Sequence, residues 1–562
     1  MRETSRRILG AVLCMPLLLA GVGISQAADG SVRGFDAPIR FEVADTGLLQ
    51  VNGEARYLDT IELLPRRDGA VLVNELGIDD YVAGIAEMPA DWPMEALKAQ
   101  AVAARTYGWY VMRTGSYAGY DICATVACQV FRGADVEFGT GSGDRWRAAV
   151  EETAGEVLVD DEGDPVLARY YSTSGGRTYA NEEVFPSSGS HDHLVSIEDP
   201  YDAVSPLHRW TVRFTREEFD AIAARGQQLS SVVPVADAER VGEVHDPRAS
   251  IRVQGQDGTV VEVGTGNFRD FVSAVAPELF PDRFPPLRAD GLRSLPSTVP
   301  TARYDIEVTD DEVILHGQGW GHGVGMGQYG AKGRAQEGAT YREILAAYYN
   351  GLEPARTAAV PERLRVGIAV GGTLSVAADA PVRIEAGDEV IEEGALGTWQ
   401  LDRQGDGWLL TPPEGHSETL EVSDTRTAQA LRAMVDAVAV EIDVNKPVRL
   451  ALEVTTEADR TVIRRDLGVV EAGRHSAVWR LDDADGSLAE PGRYRVALVA
   501  QDHTGDRAGE PIEIELPLVA ADSPVPDRPE AATDPNRWWL VTVAAGVFAL
   551  LAAGLIVIRR AR

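Results

Sequence analysis

Positive charge is scarce in this 562-residue chain: 53 lysines and arginines face 87 aspartates and glutamates, a formal net charge of −34. No basic surface is left to offset phosphate repulsion, which excludes a general nucleic-acid binder. Acidity favours solubility and names no substrate. Cysteine is nearly absent too, with three in the whole chain. Cys14 lies in an N-terminal apolar run, so the local pair Cys123 and Cys128 remains. In an exported protein such a pair most simply closes as a disulfide. The alternative is zinc, which needs about four ligands, and no histidine lies inside this loop.

Two long stretches lack charge altogether. Arg2, Arg6 and Arg7 precede the apolar run from Ile8 to Ile24, and Ser25, Ala27 and Ala28 follow it. This is the three-part pattern of a secretory signal peptide with a cleavage point near Ala27. Trp538 to Ile558 is the second run, flanked by Trp538 and Trp539 on one side and by Arg559, Arg560 and Arg562 on the other. At about 1.5 Å per residue it just spans a hydrocarbon core of about 30 Å. Aromatic residues suit the headgroup boundary, and the arginines hold their end in the cytoplasm. The expectation is a single-pass membrane protein with residues 28 to about 537 outside the cytoplasm. Arginine outweighs lysine, a bias that suggests a GC-rich bacterial genome.

What is present is a 44% hydrophobic content, ample for several ordinary cores. After an extended segment at 28–53, Tyr57 to Glu75 alternates apolar and polar residues about Arg66-Arg67-Asp68-Gly69, a β-hairpin pattern. A short helix is expected from Ile78 to about Ala86, ended by Pro89. The next helix is expected to begin with Asp91 as N-cap and Pro93 in its first turn. Met94, Leu97, Ala101, Ala104, Gly108 and Val111 give it one narrow stripe. Short strands and helices follow, with an insertion expected at about 228–300 and a proline-dense run from Pro277 to Pro300. Thr340 and Glu343 form a capping box that opens a helix ending at Asn350-Gly351. A domain boundary is expected near Pro361, followed by a β-rich region at 362–435 and a cleaner β unit at 440–518. Ala521 to Asn536, rich in proline and acidic residues, reads as a spacer within a 519–537 linker.

The residue best placed for chemistry is Glu87, just before Pro89 and an alanine-rich helix. The end of the preceding helix disfavours its ionised form, and Met88 and Trp92 can desolvate it, again raising its pKa. A carboxylic acid kept protonated near neutral pH can protonate a glycosidic oxygen. The N-terminus of the following helix pulls the other way, so position leaves the sign of the shift open. A solvated glutamate at a helix end satisfies the same pattern.

Glu87-Met88-Pro89, then Glu95 through Tyr107 (Glu-Ala-Leu-Lys-Ala-Gln-Ala-Val-Ala-Ala-Arg-Thr-Tyr), resembles the signature of the stage II sporulation protein D and amidase-enhancer family. Three further blocks match in order. They are Asp121-Ile122-Cys123 with Cys128 through Gly133, then Tyr170 through Thr178, then Gly317 through Ala331 followed by Ile344 through Tyr349. The resemblance covers about residues 54 to 356. It implies an α+β catalytic domain of SpoIID type, peptidoglycan glycan strands as substrate, and Glu87 as the catalytic residue of a lytic transglycosylase. It equally implies a non-catalytic alternative, a wall-binding enhancer of a cell-wall amidase. Zinc-binding members carry histidine beside these cysteines, whereas Ala127 stands here. Further on, Trp479, Asp482 to Gly486, Gly492 and Tyr494 resemble the Ig-like domain of flagellar hook-capping proteins, which implies an Ig-like β-sandwich with Trp479 in its core.

Within the matched blocks, substrate contacts are expected from Lys98, Arg105, Tyr171, Ser172, Gly175, Gly176, His316, Gly319, Gly321, His322 and Gln328. Lys98 and Arg105, seven apart, share a helix face and could be solvated, position Glu87 or bind muramyl carboxylates. The glycines let backbone approach a glycan strand. Ser172 and Ser174 lack the elbow of a serine nucleophile. Gly325 through Gly330 formally fits a dinucleotide fingerprint, but it follows a loop in an exported domain. No metal is expected among these residues.

Overall fold

The computed structural model describes residues 33–516, apart from 45, 67–68, 116, 139–142, 287–294, 370–371, 406, 430–436, 483, 485, 488 and 491. The expected signal peptide, linker and transmembrane run at Trp538 to Ile558 therefore lie outside the described residues. Among the described residues no helix is long and apolar enough to cross a membrane.

The hairpin forms as its alternation predicts, with strand Thr60–Arg66 antiparallel to Gly69–Gly77 and Arg66 opposite Gly69. It becomes the middle of a seven-stranded sheet whose other members come from both ends of the first 411 residues. Ile39–Val43 and Val382–Ala386 extend it on one side, and Arg363–Ala369 on the other. A six-stranded sheet is likewise assembled from Leu48–Val51 and Ala55–Leu58 with Thr373–Ala378, Trp399–Gln404 and Gly407–Thr411, edged by Arg33–Phe35. One hydrophobic core joins Phe41, Leu49 and Ile61 to Leu364, Ile384, Trp399 and Trp408. This corrects the expected boundary near Pro361 and the separate extension at 28–53. Apolar alternation marks these strands but not their partners, which lie hundreds of residues away.

Helix α1 (Ile78–Ala83) ends earlier than expected. Gly84 follows, and a Cβ there would stand 2.4 Å from the Phe131 ring. Ile85 is already bridged to Phe131, so the chain has left helical geometry before Glu87. Helix α2 (Met94–Thr114) starts with Pro93 as its cap residue, in extended geometry, rather than with an Asp91 side-chain cap. Its apolar surface is no narrow stripe. Ala96, Leu97, Ala99, Ala101, Val102, Ala103, Ala104 and Trp109 are all buried, so the helix runs through the domain interior. Alanine at most of those positions lets neighbouring backbone approach from every side.

The insertion is larger than expected and has its own core. Trp210–Thr215, Tyr304–Val308 and Glu312–Gly317 form one three-stranded sheet, and Val235–Val241, Ser250–Gly255 and Val260–Gly264 another. Helices Arg216–Ala223 and Thr265–Leu279 close over Phe214, Phe219, Phe268, Phe284 and Tyr304. The unit thus reaches from about Leu207 to Gly317 rather than from 228 to 300. The helix Tyr341–Tyr348 carries its capping box as expected, with Thr340 accepting from the Glu343 amide.

Beyond Thr411 a two-sheet sandwich forms. Val422–Gln429, Val438–Val444 and Gly473–Trp479 make one sheet, and Thr461–Val470, Val448–Thr456, Gly492–Gln501 and Ile512–Leu516 are paired in the other. Val440, Ile442, Leu450, Leu452, Val496 and Trp479 share its core, with Trp479 fully buried and its Nε1 donating to the Asp482 carbonyl. Tyr494 donates back to the Glu490 carbonyl at 2.5 Å, the arrangement of a tyrosine corner in β-sandwiches.

Candidate active site

Glu87 sits in the short connection between α1 and α2, zipped to the segment after the cysteines. The Ala86 amide donates to the Val130 carbonyl at 2.9 Å, and the Val130 amide donates to Glu87 Oε1 at 2.7 Å. The Glu87 backbone carbonyl accepts from Gln328 Nε2 at 3.1 Å, and the same amide reaches Gln100 Oε1 on α2 at 3.3 Å. Gln129 spans the floor: its Oε1 accepts from Tyr81 at 2.5 Å and its Nε2 donates to the Tyr170 hydroxyl at 2.8 Å. Residues from all four matched blocks therefore touch Glu87 or a neighbour of it.

This environment settles the sign that position left open. Withdrawal from water pushes the Glu87 carboxyl above its ordinary value, and the Val130 amide only partly opposes it. No second carboxylate among the described residues perturbs it. Burial first, with Glu87 among the lesser causes, also raises the phenols of Tyr81, Tyr107 and Tyr170. A half-buried carboxyl with one amide donor and aromatic neighbours is equipped to hold a proton and hand it to an adjacent oxygen.

The cysteines are joined, with Cα atoms 5.6 Å apart. The closed loop leads directly into Gln129 and Val130, so it braces the two residues that meet Tyr81, Tyr170 and Glu87. With both sulfurs joined and Ala127 beside them, the pair does not fit a zinc ion.

The other expected contact residues divide. Gln328 stands at Glu87 as described. Lys98 turns to Glu95 and Glu152, at 3.1 and 2.6 Å, and lies over the Tyr341 ring. Arg105 corrects the expectation of a groove residue: its side chain is fully buried. Its guanidinium pairs with Asp79 and donates to the carbonyls of Glu156 and Val150. Helical spacing places Lys98 and Arg105 on one face correctly. What packs on that face was not legible from spacing.

Tyr171 is buried, and Ser172 is half-buried with its carbonyl accepting from the Tyr329 amide at 3.0 Å. Ser174 donates to Asp202 at 2.8 Å, as does the Gly175 amide at 2.5 Å. His208 binds the other oxygen of Asp202 at 2.7 Å. No imidazole is therefore placed to activate Ser174. Gly176 has open space above it except for the distant His208 ring.

His316 and His322 do not act as a pair. His316 is half-exposed on a strand of the insertion, 3.3 Å from the Thr211 hydroxyl. It lines a cleft of about 460 Å³ with Arg209, Trp210, Arg303 and Gln318, which Glu87 does not reach. His322 is fixed beneath the site: Nε2 faces the Tyr170 carbonyl at 3.0 Å and Nδ1 accepts from the Val324 amide at 3.1 Å. Withdrawal from water and the Arg169 guanidinium hold its pKa down at about 3, so the ring stays neutral.

Two glycines of the last block serve packing. A Cβ on Gly319 (φ +79°) would meet the Thr173 carbonyl at 2.7 Å, and one on Gly325 (φ +79°) the Arg169 carbonyl at 2.0 Å. They let the third and fourth blocks lie backbone on backbone, where Thr173 bridges Trp320 and Met326 pairs with Tyr170. This corrects the expectation that they face a glycan. Gly321 (φ +99°) similarly abuts the Tyr171 side chain at 3.1 Å.

Sequence reasoning missed Gln129, which reads as an ordinary loop amide until its partners are seen. It also missed Lys332, whose ammonium lies 4.6 Å from the Trp92 ring and 5.5 Å from that of Tyr329. Trp92 stands between Pro89 and Glu95 and Lys332 just past Ala331, and nothing in that spacing signals that the two side chains meet.

A family profile described as SpoIID, stage II sporulation protein, matches residues 66–159. An uncharacterized protein of Brachyspira hyodysenteriae is 33% identical over 325 residues, covering 56% of this chain and 76% of that one. The stage II sporulation protein D of Bacillus subtilis is 30% identical over 293 residues, covering 50% of this chain and 75% of its own length. The amidase enhancer of the same organism is 32% identical over 297 residues, covering 47% of this chain and 38% of that protein.

Proposed function

The chain belongs to the stage II sporulation protein D family, and from that membership we propose that it remodels the bacterial cell wall as a lytic transglycosylase. The substrate is the MurNAc–GlcNAc bond of peptidoglycan. Glu87, protonated, gives its proton to the glycosidic oxygen as the bond to the anomeric carbon breaks. The carboxylate then takes the proton of the muramyl 6-hydroxyl as that oxygen bonds to the same carbon. The product carries a 1,6-anhydro ring, no water enters, and Glu87 ends as it began.

One observation carries this reading: Glu87 is a single carboxyl held above its ordinary pKa, with no carboxylate partner among the described residues. Hydrolytic glycosidases use two carboxylates, about 5 to 9.5 Å apart, whereas intramolecular attack by the 6-hydroxyl needs one group acting in both directions. The test is to incubate the purified protein with glycan strands, with and without stem peptides, and analyse the products by mass spectrometry. Anhydro-muramyl ends that vanish with Glu87→Gln are expected. Unchanged strands, or equal turnover by the variant, would sink the proposal.

The second reading is a wall-binding enhancer of a cell-wall amidase, supported by the name of the Bacillus subtilis relative. It needs the surface around Glu87 but not its proton. Amidase stimulation that survives Glu87→Gln would favour it. In either case we place the molecule outside the cytoplasm, tethered by Trp538 to Ile558, with the proline-rich spacer giving reach to the wall. Protease shaving of cells is expected to remove the large domain. Survival of the intact chain in accessible cells would contradict that orientation.

A further inference from the structure

A cluster far from Glu87 along the chain has the chemistry of a metal site. Glu392 lies on strand Glu389–Ala395, His416 in the turn after Gly407–Thr411, and His503 in the turn after strand Gly492–Gln501. Each offers a ligand atom within 4.8 Å of the others. His416 Nε2 is 3.3 Å from Glu392 Oε2, and the His416 and His503 rings lie 4.3 Å apart at 22°. We propose that Glu392, His416 and His503 bind a zinc ion that staples the C-terminal sandwich to the seven-stranded sheet.

The supporting structure around the cluster is rigid. Strand Glu389–Ala395 is irregular where Glu392 faces Ile384, and such bulges re-aim side chains. Trp399 presents its ring edge-on to His416 at 5.1 Å. The turn bearing His503 is fixed by Asp502, whose Oδ1 accepts from the amides of Thr504 and Asp506 at 3.0 Å each. Its Oδ2 pairs with Lys446 at 3.1 Å, with both side chains only 2% exposed. Lys446 also donates to the Glu418 carbonyl at 2.7 Å, two residues from His416. The ion pair and the cluster thus tie the same two segments together.

The donor set selects the ion. Two imidazoles and a carboxylate are a zinc combination that leaves a fourth position for water, whereas calcium and magnesium favour all-oxygen shells. Tetrahedral zinc at about 2.05 Å from its ligands sets them about 3.3 Å apart, so no separation has to close by more than about 1.5 Å. All three side chains are half-buried. Glu392 lies on a strand of the seven-stranded sheet, His503 follows a strand of the sandwich and His416 lies in the connection between them, so the ion would join elements that share no sheet.

The experiment uses the purified full-length protein without reductant, so that the joined cysteines contribute no thiolate. It is mixed with zinc chloride, freed of unbound metal by gel filtration and measured by plasma mass spectrometry. Affinity is read by competition with a chromophoric chelator. One zinc per chain is expected, with affinity falling at least about tenfold in His416→Gln or His503→Gln, the least that loss of even an outer-shell partner costs. Zinc should also slow amide hydrogen exchange at 413–418 and 502–506 in the parent protein but not in the double variant. Far-UV circular dichroism checks that the glutamine variants fold. Failure to retain zinc, or retention unchanged in a folded double variant, would overturn the proposal and leave an ordinary histidine–glutamate contact.

Discussion

The surroundings of α2 and the inserted unit at 207–317 are both compact cores, built on opposite plans. Around α2 the packing elements are alanine, glycine and backbone, with polar groups threaded between them: Gln129, Gln100, Gln328, Arg105 and Glu87. The insertion is filled by aromatic rings, Phe214, Phe219, Phe268, Phe284 and Tyr304, tilted against one another with centroids 4.9 to 6.1 Å apart in successive pairs. An aromatic core accepts many alternative fillings of similar volume. A core of small residues around a buried polar network accepts few, because each amide needs its partner and each contact is backbone to backbone. The first plan fixes a half-buried carboxyl within a network of amides and phenols. The second is built from rings in mutual contact.

The contrast is broken most sharply by Glu87→Gln. Loss of the acid is expected to lower strand cleavage about 10² to 10⁴-fold with no loss of stability. Because the folded-state pKa of Glu87 is raised, the ionised form destabilises the fold, so stability falls as pH rises through that pKa. Glutamine removes this pH-dependent penalty. Urea titrations of parent and variant at several pH values check the sign. A variant that is active, or less stable only at high pH, would contradict the assignment.

Phe268→Ala should cost about 3 to 5 kcal/mol, confined to the insertion. Hydrogen exchange is expected to accelerate at 207–317 and not in α2. Equal acceleration in both would show that the two cores are one cooperative unit.

A third test uses a titratable group in the first core. Asp199 is fully buried, with one oxygen bonded to Tyr348 at 2.9 Å and the other unpartnered. Burial, eased by the Tyr348 bond, pushes its pKa up to about 6 from an ordinary value of 3.8. The folded protein therefore binds the extra proton, and up to about 3 kcal/mol of stability is lost as pH rises from 4 towards 7. Asp199→Asn should flatten that slope. The smallest effect is expected at the disulfide, where Cys123→Ser with Cys128→Ser should cost about 2 kcal/mol, as suits a short loop. Alkylation of the unreduced parent should label neither cysteine.

Glu87, Gln328, the Tyr170–Thr178 segment and the glycine-rich run were singled out through the family resemblance, since position alone left Glu87 indistinguishable from a solvated glutamate at a helix end. The capping box at Thr340 was visible because it obeys a local rule, and the buried Trp479 through the resemblance to an Ig-like domain. The limits of the insertion were not, since Leu207, Trp210 and Phe214 are generic core residues that could belong to either unit. Nor was the return of strands 363–411 to the first sheets, because alternation identifies a strand without naming its neighbour. Arg105 was misplaced for a related reason: its partners Asp79, Val150 and Glu156 come from three separate elements.

That return of the chain has a kinetic meaning. The Leu48 amide donates to Asp379, a partner 331 positions away, and Thr373–Ala378 pairs directly with Leu48–Val51. Neither sheet can close until nearly all of the first 411 residues have been made. Loop closure on that scale makes folding slow, since the entropy is lost before the contacts that repay it can form. A polypeptide emerging from the ribosome would thus keep both sheets open for most of its synthesis.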